Sequence, residues 1–149
     1  MSLVRQIKDY AHILRDLPKD YNALLDCISD ETSVVMIGEA SHGTHEFYKH
    51  RAEITKRLVK EKGFSIVAVE ADWPDAYRVN RFVKRSIKTE DKTSVDALGS
   101  FERFPRWMWR NADVLDFVTW LRLHNETEKK ETAVGMYGLD LYSLRSSME

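Results

Sequence analysis

The chain has 149 residues, 43% of them hydrophobic and 11% aromatic, and its 23 basic and 24 acidic side chains leave a net charge of -1. That is enough chain for one globular domain with a core, and so even a charge balance excludes nucleic acid or an acidic membrane as the expected partner. Cys27 stands alone, Arg5, Lys8 and Asp9 interrupt any signal-like run, and nothing approaches the ~20 apolar residues of a membrane helix, so a cytoplasmic protein is expected.

Residues 3–17 place Leu3, Ile7, Tyr10, Ala11 and Leu14 at helical recurrence, which predicts an amphipathic helix ended by Pro18. Tyr21 to Ile28 predicts a second, short helix. Val34 to Ile37 is an apolar, β-branched run that reads as a buried strand, and Gly38 closes it. The loop that follows carries Glu39, Ser41 and His42. Loops at the carboxyl ends of parallel strands are where open α/β sheets hold their ligands, so an acid and an imidazole three positions apart are candidate site residues.

Thr44 to Lys62 predicts a helix stopped by Gly63. Its apolar stripe runs Phe47, Ile54, Leu58, and Arg51 falls on the same stripe. A cation aimed at a core must find a countercharge, because an unpaired buried charge is expensive. Pairing with Glu39 or Glu70 is expected. Phe64 to Glu70 predicts a central parallel strand, apolar on both faces and ending in Glu70. Asp72, with Asp75 three later, reads as a helix cap. The next helix is expected from Trp73 to about Lys88, burying Ala76, Tyr77, Val83 and Ile87.

Ser94 to Phe101 suggests a helical turn. The segment 101–111 is the most aromatic in the chain, and Trp107 and Trp109 suit either a substrate platform or packing of helices on the sheet. Ala112 to Asn125, capped by Asn111, predicts a helix with Leu115, Val118, Trp120 and Leu121 inward. Ala133 to Leu139 predicts a third strand, ending at Asp140, and a further helix is expected from Tyr142.

Strands joined by right-handed crossovers lie parallel and share one rim. The fold expected is therefore α/β, parallel strands with crossover helices, and the rim would collect Glu39, His42, Glu70 and Asp140 with Arg51 reaching in. A histidine held by carboxylates can take a proton from water and direct it at a carbonyl. Ser41 sits on no nucleophile elbow, and no glycine-rich phosphate loop is present. Glu39, His42 and His45 fall short of the three well-spaced donors that zinc sites usually use, so no metal and no cofactor is expected.

Five blocks in order, namely 38–46 (Gly-Glu-Ala-Ser-His-Gly-Thr-His-Glu), 49–51, 69–78, 104–111 and 137–143, resemble the erythromycin esterase family. The resemblance implies ester or macrolide-lactone hydrolysis by an activated water, with His42 as general base and Glu39, Arg51 and Glu70 as its partners in the site. It also implies a link to antibiotic resistance. His45, Asp140, Trp107 and Trp109 are then read as substrate-binding. Residues 1–32 are expected to form a helical segment and 33–149 the first part of an erythromycin esterase-like α/β domain, apparently truncated. The other reading of the chain is a catalytically incomplete fragment, or a module that binds a ligand or partner, with self-association through an uncovered sheet edge.

Overall fold

The computed structural model describes residues 2–15, 17–103, 105–129 and 131–139. The chain divides into two compact units, Met1–Met36 and Ile37–Glu149. In the first, helix α1 spans Leu3–Tyr10 and buries none of its residues. It stops well short of residue 17. The backbone N–H of Leu17 donates to Asp20 Oδ2 at 3.1 Å, and Arg15 N–H donates to the same oxygen, so local side-chain bonds replace helical ones there. A 3-10 turn at Pro18–Tyr21 then runs into α2, Asn22–Asp26.

The expected first strand is absent: residues 32–39 form no strand, and Val34 and Met36 are 71% and 92% exposed. An apolar β-branched run is extended by preference, but it becomes a strand only where a neighbour completes its hydrogen bonds. The described sheet has two strands, β1 (Ile66–Val69) and β2 (Gly135–Gly138). They are parallel, with Ile66 opposite Gly135 and Val69 opposite Gly138, and the chain between them holds α4 (Trp73–Val83), α5 (Ser94–Ala97) and α6 (Ala112–Thr127). The architecture is α/β, two parallel strands joined by a helical crossover, preceded by α3 (His45–Lys62).

The core lies between α4, α6 and β2. Val79 and Val83 of α4, Val118 and Leu121 of α6, and Met136 of β2 are its largest fully buried apolar side chains. Two buried asparagines finish the outer edge of β2. Asn125 donates to the carbonyls of Val83 and Val134, both at 2.9 Å, and accepts from Val134 N–H at 2.8 Å. Asn80 Oδ1 accepts from Met136 N–H at 3.1 Å. Side-chain amides thus stand where a further strand would supply donors and acceptors, as a buried backbone requires.

Helix boundaries follow local chemistry. Gly63 ends α3 at φ +72, in the left-handed region, as the sequence predicts. Asn111 caps α6 by accepting from Val114 N–H at 3.0 Å. α4 ends five residues earlier than expected. Arg85 adopts φ 53 and Ser86 N–H reaches back to Arg81 O at 2.9 Å, closing the helix as a glycine would. Ile87, expected inside, is therefore exposed, and so is Tyr77. On α3 the buried face is turned toward Tyr48 and Val59, leaving Phe47 and Ile54 half-buried.

Candidate active site

The loop before α3 brings Glu39, His42 and Arg51 together. His42 Nδ1 donates to Glu39 Oε1, and Arg51 Nη2 lies 2.8 Å from Glu39 Oε2. The Glu39 side chain is only 7% exposed and that of Arg51 26%. The countercharge that the stripe position of Arg51 demands is therefore Glu39, and each carboxylate oxygen serves a different partner. Because an ionised carboxylate can only accept, Nδ1 carries the proton and Nε2 of His42 is left with a lone pair. The Arg51 guanidinium also covers the Tyr48 ring, 4.8 Å from its centroid. Burial pushes the Tyr48 phenol above its usual pKa, and the charge on Glu39 adds to that rise.

Gly43 makes the turn from this loop into α3. Its φ is +82, and a Cβ there would stand 3.1 Å from the Trp107 ring, so the indole packs directly on the glycine backbone. Trp107 forms one wall of a cleft of about 420 Å³ with His42, His45, Tyr48, Asn111 and Asp113. The first turns of α3 and α6 both contribute to this cleft. Amide dipoles at both helix starts contribute partial positive charge, set against the Asp113 carboxylate that lines the same cleft. Across it, His45 Nδ1 donates to Asp113 Oδ2 at 2.9 Å.

The other residues singled out from the sequence lie elsewhere. Glu70 follows β1, is exposed, and pairs with none of the described residues. Trp109 packs at the core edge, its ring tilted against Phe101 at 6.0 Å, and does not line the cleft. Asp140 and the helix expected from Tyr142 fall outside the described residues. Asp72, read as a cap, makes no side-chain cap bond to α4; its carboxylate faces Arg103 Nη1 at 3.4 Å instead. Sequence reasoning missed Tyr48, Asn111 and Asp113 as cleft residues. Asp113 carried a signal, an acid in the first turn of a capped helix, but its partner lies 68 positions away.

The model of the erythromycin esterase family matches residues 59–149, and the chain belongs to that family. The match begins within α3, so Glu39, His42 and Arg51 precede it, whereas Glu70, Trp107 and Asp113 fall inside. A crystal structure of a Bacillus cereus protein is similar over 91% of this chain, at 26% identity and a TM-score of 0.73. The chain spans 32% of that protein's length. Among the described residues no helix is long and apolar enough to cross a membrane.

Proposed function

We propose that the protein is a carboxylic-ester hydrolase whose general base is His42. The observation that carries this reading is Glu39, held between His42 and Arg51. Glu39 fixes the His42 ring through Nδ1, which leaves the Nε2 lone pair available to water, and Arg51 holds the glutamate in place. Water placed against Nε2 gives up a proton as its oxygen attacks the ester carbonyl, and the carbonyl electrons move onto oxygen. The helix starts then favour that oxyanion. Trp107 supplies a flat, apolar surface suited to a large ester or lactone, and family membership supports macrolides as the substrate class and resistance to them as the role. The site as proposed uses no metal and no cofactor, and a cytoplasmic location suits the single unpaired cysteine.

The test is hydrolysis of a panel of macrolides and of aryl and alkyl esters by the purified chain. His42→Ala is expected to lower turnover by about 10²–10⁴, the usual contribution of a positioned base, with an unchanged circular dichroism spectrum. Wild-type turnover in the folded variant would refute the assignment.

A further inference from the structure

The cleft contains a second imidazole tied to a carboxylate, and nothing in the reading above uses it. His45 lies one helical position past Thr44, on the opening turn of α3, and Asp113 on the opening turn of α6. We infer that His45, oriented by Asp113, is the acid that protonates the departing alcohol; this rests on the hydrolase reading.

The contact is poorly explained as architecture. A histidine that ties two helices together would be expected to bury its ring, yet the His45 side chain is 65% exposed while Asp113 is 19% exposed. The acid is the sheltered partner and the ring is the one presented. Asp113 is not spent on capping either, since Asn111 already accepts from the backbone of α6. With Nδ1–H donated to Asp113, the Nε2 atom of His45 is the one left for substrate.

The two pairs differ in how their carboxylates are committed. Glu39 is shared between His42 and Arg51, one carboxylate oxygen to each. Asp113 has no charged partner but His45 among the described residues. The whole of the Asp113 carboxylate is therefore committed to the His45 ring. That asymmetry assigns His42 to taking a proton and His45 to giving one.

Water oxygen bonds to the acyl carbon and its proton passes to His42 Nε2. On collapse, the carbon–oxygen bond to the alcohol breaks, the oxygen keeps the electron pair, and it receives the Nε2 proton of His45. The products are the acid and the free alcohol. The proton on His42 then returns through solvent to His45, and both rings are reset without any change of oxidation state.

The experiment compares esters of one acyl group with leaving groups from 4-nitrophenol to a simple alkanol, assayed by kcat/KM on wild type and His45→Gln. Glutamine preserves a donor toward Asp113 but cannot act as the acid. The expected loss grows with the basicity of the leaving alcohol, reaching about 10²–10⁴ for the alkyl ester and smallest for the nitrophenyl ester. Asp113→Asn is expected to show the same trend with a smaller slope, whereas His42→Ala should lower all the esters alike. A loss in His45→Gln that is equal across the series, or no loss, would overturn the role of His45 and leave the hydrolase reading standing. No turnover of any ester by wild type would overturn both.

Discussion

Glu39 and Glu70 occupy equivalent places in the sequence, each an acid that closes an apolar run. Their fates in the structure are opposite: Glu39 is sheltered and shared between His42 and Arg51, while Glu70 stands in solvent without a described partner. The difference lies in what comes next in the chain. Twelve residues after Glu39, Arg51 rises from the buried side of a helix and meets it. After Glu70 the countercharge from Arg103 goes to Asp72 instead. A carboxylate at the end of an extended run marks a place in the backbone, but it becomes an organised group only where a cation reaches it.

The comparison breaks most sharply at Arg51. Arg51→Met strands a buried carboxylate, and urea unfolding should show a loss of about 3 kcal/mol, the low end for a broken buried pair because Arg51 is partly exposed. Glu39→Gln in the same chain should restore much of it, since no charge is then left unpaired. If Arg51→Met is as stable as wild type, the pair does not organise the loop. Gly43→Ala probes the turn that presents His42. A left-handed φ costs an L-residue about 1–2 kcal/mol, and the new methyl would press on Trp107, so a loss of that size with a shifted tryptophan emission is expected. Unchanged stability and emission would show that the indole does not rest on Gly43.

Asp91 offers a third carboxylate to set beside these two. Arg78 grips it in a fork, Nε to Oδ2 at 3.0 Å and Nη2 to Oδ1 at 2.6 Å, and that bonding holds the carboxyl below its ordinary value of 3.8. A carboxyl with a lowered folded-state pKa adds stability at pH values above its unfolded value, and that stability drains away as pH falls through 3.8 toward the folded value. Asp91→Asn should therefore cost about 1 kcal/mol at neutral pH, the upper end for a partly exposed pair, and should flatten the acid limb of the stability curve. An unaltered acid limb would contradict this. At the far end, Glu70→Gln should change stability by less than about 0.5 kcal/mol, as for an exposed position without partners. A larger loss in thermal unfolding would mean that Glu70 is engaged after all.

Local signals carried much of the fold. The glycine stop at Gly63 and the cap at Asn111 were legible because each depends on neighbours within a few residues, and the strands around 66–69 and 135–138 because their extended runs do find each other as partners. Charge on a hydrophobic stripe made the pairing of Arg51 legible too. What failed was non-local or one-residue geometry. Val34 to Ile37 has every strand preference and no ladder, since pairing is supplied by other segments. The end of α4 turns on Arg85 taking a conformation normally left to glycine. In the candidate site, the loop side could be read from Glu39 and His42, but the facing wall could not. Asp113 meets His45 only because α3 and α6 pack together, and no spacing in the chain announces that.

The asparagines over β2 have a consequence for how the sheet can be enlarged. With Asn80 and Asn125 occupying its outer edge, β2 offers no template to an incoming strand, whereas no described strand pairs with β1 on its other side. The sheet behaves like a filament with one end capped. Addition at Ile66–Val69 is directional and, if the added strand is a second copy of β1, self-terminating: two copies joined there would each show the other a sealed far edge. Among the described residues, extension of the sheet past β2 is blocked by two amide side chains rather than by charge or proline.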